Sequence, residues 1–400
     1  MDFSNTERSQ QLQHRVRDFM HTHVLPGEEI YLQQLEEAGD PHAYPPVLDE
    51  LKATARKEGL WNLFMTFGGY GAGLTNTEYA PLAELMGRSQ NAAEVFNCSA
   101  PDTGNMEILA LFGTDEQKQQ WLHPLLDGEI RSTFSMTEPA VASSDATNLQ
   151  TRIERDGDEY VINGRKWFSS GALSPRVSLL IVMGRTNPEA PRYQQHSMIL
   201  VPKDSPGVKI LRSTPIFGYE YRGGHCEIEY DNVRVPASNL IAEEGMGFAI
   251  AQARLGPGRI HHAMRMVGVA ELALELLIDR ARRRTPFGKP IIDRDQIREQ
   301  IALSRIEIDQ VRLSVLKAAW MIDEVGAKEA RGEIAAIKVS APRVATDVVN
   351  RAMQVHGAAG FTSDFPLAEM WAHARTIQMG DGPDEVHLRQ IARLELAASE

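Results

Sequence analysis

Val177-Ser-Leu-Leu-Ile-Val-Met183 is an almost unbroken apolar run that reads as a strand buried on both faces. Around it the texture is β. Upstream, Thr151-Arg-Ile-Glu-Arg155 alternates, Asp156-Gly157 is a hairpin signal, and Tyr160-Val-Ile-Asn-Gly164 follows. Downstream, His196-Ser-Met-Ile-Leu-Val-Pro202 and His225-Cys-Glu-Ile-Glu-Tyr-Asp-Asn-Val-Arg-Val-Pro236 read as further strands. The stretch 131–241 is thus expected to be a compact β domain with short hairpins. Outside it the period changes to that of helices. Leu12, Val16, Phe19 and Met20 share one face, as do Val47, Leu48, Leu51 and Ala55. Ile297, Ile301, Ser304, Ile308, Val311, Val315, Ala318, Ile322 and Val325 mark one long helix packed in a bundle. A second helix is expected from about Ile334 to His356, with a kink or restart at Pro342, which lacks a backbone donor. The order helices, β domain, helix bundle gives an α+β chain with expected domains 1–130, 131–245 and 246–400.

Composition narrows the function. Among 400 residues, 42 Lys and Arg face 54 Asp and Glu, a net charge of −12. That disfavours nucleic acid as a partner, because neutralising phosphates needs a basic face. No apolar run is long enough to span a membrane. Met1-Asp2-Phe3-Ser4-Asn5 shows no basic-then-apolar export signal, so a cytoplasmic enzyme is the expectation. Cys98 and Cys226 have neither zinc nor redox spacing, and the adjacent His261 and His262 diverge by about 100° on a helix, so no metal site is expected. No G-x-G-x-x-G fingerprint follows a strand. Gly68-Gly69-Tyr70-Gly71-Ala72-Gly73 reads as a connection between helices rather than a phosphate loop, since no Gly-Lys-Ser/Thr follows.

One segment stands out chemically. Phe134-Ser-Met-Thr-Glu-Pro-Ala-Val-Ala-Ser-Ser-Asp-Ala-Thr147 opens with polar backbone and hydroxyls and few charges, suited to a flat heteroaromatic ring. Three others occur in a telling order: Trp167-Phe168-Ser169-Ser170-Gly171, Arg284-Thr-Pro-Phe287-Gly288, and Gln354-Val-His-Gly357-Ala358-Ala-Gly-Phe361 before Gly380-Asp381-Gly382-Pro383-Asp384-Glu385.

Taken together, these motifs resemble the acyl-CoA dehydrogenase family along essentially the whole chain. Gly256-Pro-Gly258-Arg259-Ile-His261-His262 and the Gly380–Glu385 segment look like the branch of members ten and eleven. The resemblance implies an N-terminal helical domain, a middle β-barrel-like domain and a C-terminal four-helix bundle. It also implies FAD as cofactor. Phe134, Met136 and Thr137 match the segment lining the flavin, Trp167 the tryptophan stacked near it with Phe168 as a further cofactor contact, Ser169 takes the place of a threonine and keeps the hydroxyl, and Ser144 matches a serine shared by FAD and CoA. Arg284 and Phe287 match a motif that reaches the FAD of a neighbouring subunit in a homodimer or homotetramer. Gln354, Gly357 and Ala358 match the segment near the adenosine and pyrophosphate, with Gly-Ala in place of the usual Gly-Gly; Pro383 and Glu385 fall on the adenine side. Gly256, Arg259, His262 and Gly382 fall along the acyl-CoA substrate.

The base falls at Asp381, where the family has an aromatic residue followed by Glu-Gly-Thr. The carboxylate is retained, one methylene shorter, and Gly380 replaces the aromatic. Members with an alternative base carry it beside the arginine that opens the first C-terminal helix; Gly258 occupies that place here and has no side chain to act. The expected reaction is α,β-dehydrogenation of an acyl-CoA, with electrons passing to an electron-transfer flavoprotein. An oxygen-using flavoenzyme of the same fold, nitroalkane oxidase-like or a monooxygenase, is the alternative, because such oxidases also use aspartate. A silent helical scaffold is a third reading, disfavoured by the intact motif set. His261 and His262 are read either as packing residues or as partners of an oxygen on the acyl chain, as in a hydroxyacyl-CoA.

Overall fold

Residues 5–66 and 69–399 are described by the computed structural model of the chain. Residues 1–4, on which the reading of the N-terminus rests, and Gly68 of the glycine-rich connection lie outside them. The principal helices are α1 (Glu7–Phe19), α2 (Leu25–Ala38), α3 (Val47–Lys57), α4 (Asn76–Met86), α5 (Asp102–Phe112), α6 (Gly247–Arg283), α7 (Asp295–Glu329), α8 (Arg331–His356), α9 (Leu367–Ile377) and α10 (Asp384–Ala398). Between α5 and α6 lie β1 (Arg131–Ser135), β2 (Arg152–Asp156), β3 (Glu159–Ser170), β4 (Val177–Arg185), β5 (His196–Pro202), β6 (Val208–Ser213) and β7 (His225–Pro236). The chain forms two compact units, Met1–Leu25 with Leu74–Ala93 and Gly256–Glu400, and Pro26–Gly73 with Glu94–Leu255.

The second unit holds the sheet. Its strands run β1-β4-β2-β3-β7-β6, with β5 on β4. Leu179 to Met183 of β4 are fully buried, as a run apolar on both faces requires. Gly157, at φ 64°, closes the β2–β3 hairpin with Asp156 opposite Glu159. Hairpins alone do not describe the sheet, however. β1 and β4 pair in parallel, and β2 touches β4 in parallel at Arg152 and Arg185.

In the first unit, Thr6 caps α1 by accepting from the Ser9 amide at 3.1 Å, and Leu12, Val16 and Phe19 are buried as their spacing predicts. Glycine sets how closely α4 and α6 approach. A Cβ on Gly268 would lie 1.9 Å from the Glu84 carbonyl oxygen, and one on Gly87 would lie 2.1 Å from that of Arg265.

Three expectations are corrected. The stripe of α7 is half-buried at Ile297 and Ile301 and buried from Ser304 through Ala318, but fails at Val325, which is exposed, because Gly326 takes φ 82° and bends the chain there. Pro342 neither restarts nor interrupts α8, which runs unbroken from Arg331 to His356. Its missing N–H costs one hydrogen bond, against the buried apolar row of Ile337, Val339, Ala341, Ala345 and Val348. Finally, Gly256–Arg259 does not open a helix. It lies well inside α6, because the buried row of Ile250, Ala251 and Leu255 continues through it to Ile260, Ala263 and Met264.

Candidate active site

Two groups of residues are assembled, one in each unit. In the second unit, β3 meets β7 with a break in register: Lys166 faces Ile228 and Ser169 faces Cys226, so Trp167 and Phe168 together oppose a single residue. This is a bulge, and it re-aims two side chains. Phe168 adopts φ 50° and is exposed, with its ring centroid 4.7 Å from that of Trp167. The loop after β1 is clipped onto this bulge. The Trp167 amide donates to the Thr137 carbonyl at 2.9 Å, and Lys166 Nζ donates to the Met136 carbonyl at 2.8 Å.

Lys166 also pairs with Glu138 at 2.8 Å, and Glu138 accepts from the Gln150 and Thr151 amides. Burial pushes the Glu138 pKa up, but Lys166 and the two amides outweigh it and hold the carboxyl below its usual range. Burial lowers Lys166 to about 8, so both partners are charged at neutral pH.

Phe134, Met136, Thr137, Trp167 and Phe168 therefore sit on two adjacent segments, β1 with its following loop and the bulge of β3. Ser169 differs from the others. Its hydroxyl lies 2.9 Å from that of Ser135, which also accepts from the Tyr230 hydroxyl, so it faces the sheet's interior. Ser144 is exposed beside Asp145, whose carboxylate accepts from the Thr147 amide. Trp167 Nε1 is buried and without a hydrogen-bond partner among the described residues. An orphaned donor beside a flat aromatic surface fits a flavin ring.

In the first unit, Arg284 and the Gln354–Ala358 segment come together. Arg284 Nη1 donates to the Val355 carbonyl at 2.9 Å, and a Cβ on Gly357, which has φ 70°, would lie 3.1 Å from that same nitrogen. Glycine is thus needed at 357, and the guanidinium lies close against the backbone of this turn, a cradle suited to pyrophosphate. Phe287 is 97% exposed, and Gln354 and Ala358 are exposed as well.

The same unit carries Asp381 on the turn between α9 and α10. Asp381 has φ 54° and Gly382 φ 102°, two consecutive left-handed residues. Arg259 Nε holds the Asp381 carbonyl at 3.1 Å, and Lys338 Nζ reaches the carbonyls of Ile377 (2.5 Å) and Gly382 (3.3 Å). Arg343 anchors Asp384 at 2.8 Å, and Pro383 and Glu385 begin α10 beside it. Burial lowers Lys338 to about 8, with Asp381 and Asp384 opposing the shift.

The two histidines part company. His261 is buried edge-on to the Tyr79 ring at 5.0 Å, whereas His262 Nε2 lies 3.7 Å from Asp381 Oδ2. Burial drives both imidazoles down to about 3, so both are neutral. A Cβ on Gly256 would meet Ala327 at 3.7 Å.

Sequence reasoning missed Lys338 and Arg265, along with the facing of His262 toward Asp381. Gly258, His262 and Arg265 stand at i, i+4 and i+7, one helix face, and that spacing was the available signal. Among the described residues, no three of His, Cys, Asp and Glu are grouped as a metal would need, and no helix is long and apolar enough to cross a membrane.

Comparison with known proteins adds to this geometry. Models of the acyl-CoA dehydrogenase N-terminal, middle and C-terminal domains match residues 6–129, 133–233 and 245–396. The chain is 59% identical over 99% of its length to the probable acyl-CoA dehydrogenase FadE2 of Mycobacterium tuberculosis, covering 97% of that protein. It is 50% identical over 98% of its length to acyl-CoA dehydrogenase family member 11 of Rattus norvegicus, of which it spans only 51%. A solved structure of a candidate acyl-CoA dehydrogenase from Mycobacterium abscessus superposes with a TM-score of 0.96 at 50% identity, over 99% of this chain and 100% of that one.

Proposed function

The chain belongs to the acyl-CoA dehydrogenase family, and on that footing we propose that it oxidises an acyl-CoA thioester to the trans-2-enoyl-CoA with Asp381 as the base. Family membership makes it an FAD-dependent oxidoreductase of acyl-CoA chemistry. The observation that carries the reading is the Asp381 turn. Two left-handed residues and carbonyl contacts from Lys338 and Arg259 fix the backbone that carries one partly solvent-shielded carboxylate. Strain of this kind is retained where function needs it.

When bound, FAD supplies the acceptor for the hydride that leaves the β-carbon. Asp381 takes the α-proton, so the substrate loses one proton and one hydride and gains a C=C bond. A proton α to a thioester is weakly acidic, so the base must be pre-positioned and partly desolvated to act near neutral pH. Trp167, Phe168 and the Met136–Thr137 backbone would hold the ring, and Ser144 and Arg259 the CoA side. Arg284 on Gly357 would meet the pyrophosphate of a second subunit in a homo-oligomer. The electron acceptor that we propose is an electron-transfer flavoprotein.

The test is anaerobic titration of the oxidised flavin with acyl-CoAs of increasing chain length. The native enzyme should bleach. Asp381→Asn, nearly isosteric, should keep its FAD and reduce roughly 10²–10⁴-fold more slowly. Near-native reduction by Asp381→Asn would remove the assignment. Reoxidation by electron-transfer flavoprotein rather than by dioxygen distinguishes a dehydrogenase from an oxidase.

A further inference from the structure

We propose that His262, held by Arg265, is a positioning residue for the base: it donates from Nε2 to one oxygen of Asp381 and leaves the other for the substrate proton. The proposal rests on the reading of Asp381 as the base.

The argument begins with the tautomer. Arg265 Nη2 lies 3.3 Å from His262 Nδ1. A guanidinium has donors only, so Nδ1 must accept. The neutral ring then carries its proton on Nε2, the nitrogen 3.7 Å from Asp381 Oδ2. Neutrality follows from the surroundings. Burial and then Arg265 keep a second proton off the ring, and the attraction of Asp381 offsets them only in part. The contact is long, as unliganded catalytic contacts often are, and has room to shorten.

Geometry then fixes which oxygen is engaged. Oδ2 points at α6, where a Cβ on Gly258 would lie 3.6 Å from it. That is ordinary van der Waals distance, so Oδ2 packs toward the α6 backbone at 258. The main chain of Asp381 is already fixed by Arg259 and the turn by Lys338. Those contacts act on the backbone, whereas a donor at Oδ2 acts on the carboxylate torsion. An aspartate reaches less far than a glutamate, so a misaligned carboxylate loses more of its contact with the α-carbon. The other groups facing His262 are His373 on α9 and Lys338 on α8, both on the side away from neutral-pH protonation of the ring. His387 on α10 sits instead at Gly382, 3.1 Å from its Cβ direction.

This gives His262 an assignment different from either sequence reading. Its proton is directed at the base rather than at an oxygen on the acyl chain, and packing is left to His261.

The test uses the FAD-loaded enzyme with His262→Leu, His262→Gln and Asp381→Asn. His262→Leu should retain flavin absorbance and reduce the flavin about tenfold more slowly, because orientation and a charge-assisted hydrogen bond are lost. The N–H donor favours the ionised carboxylate, so its loss should move the acid limb of the reduction rate up by about half to one pH unit. His262→Gln, which can place an amide N–H where Nε2 stood, should return the limb toward its native position. Infrared difference titration against Asp381→Asn reads the same shift without turnover. If His262→Leu sheds its FAD, His262→Phe carries the same prediction, since it fills the place of the ring and has no N–H to donate. A slow His262→Leu with an unmoved limb and no rescue by glutamine marks a packing residue and overturns the proposal, as does a native rate. Native reduction by Asp381→Asn is a separate outcome, in which the base assignment itself falls.

Discussion

Glu107 and Glu94 are both fully enclosed carboxyls, and their surroundings send them in opposite directions. Burial pushes the Glu107 pKa up to about 8, with Arg254 alone opposing it. Burial also pushes Glu94 up, but Arg131, Lys52 and Arg222 together outweigh it and hold its carboxyl well below the usual range. The difference is the number of cations in reach. It carries a sign. The folded chain keeps a proton on Glu107 that the unfolded chain gives up near 4.5, so this stabilisation is complete below that pH and is lost as pH rises through about 8. Glu107→Gln keeps a neutral side chain at every pH. It should therefore melt higher than the native protein at pH 8, with the gap closing by pH 5. Parallel melting curves across that window would show that Glu107 is not the titrating group. Nothing in the sequence marked this residue, because a lone glutamate on a helix reads as a solvated face.

The turn between α9 and α10 owes its shape to α8. Lys338 is buried, and its ammonium serves two carbonyls that the ends of these elements leave without helical partners. Lys338→Met should retain the packing of the stem and lose both hydrogen bonds, a destabilisation of about 1–3 kcal/mol. Because the turn carries Asp381, flavin reduction should slow more than substrate binding weakens. Thermal melting and stopped-flow reduction at several acyl-CoA concentrations check the two parts, and an unchanged reduction rate would contradict the clamp. The bulge of β3 is the same kind of device. Trp167-Phe168 looks like ordinary strand in sequence, and only its pairing with β7 turns those two rings out of the alternation.

At the scale of the molecule, the first unit carries several exposed apolar side chains. Phe287 stands 97% exposed at φ 56°, and Phe361, Ile306 and Leu313 are exposed as well. If a second subunit's FAD is what Arg284 meets, cofactor and assembly stabilise each other by linkage. Arg284→Ala should then lower FAD occupancy and shift the oligomer toward smaller species together, read by absorbance and light scattering on one sample. A fully flavinylated monomer would rule this out.

What the sequence by itself determined is what local spacing encodes. Period two from Arg131 and period near 3.6 on either side placed a sheet between two helical regions, and the motif order led to Asp381 and to the Arg284 and Gln354 segments. Only the tertiary structure decided that His262 rather than His261 faces the carboxylate, that Ser169 spends its hydroxyl on Ser135, that Lys338 holds the turn at Asp381, and that α6 begins before Gly256. The physical reason is range. A helix face or a strand alternation is set by residues within a few positions of one another. Desolvation, tautomer and the partner of a buried cation depend on side chains that the chain brings together from more than a hundred residues away, as it does with Arg259 and Asp381.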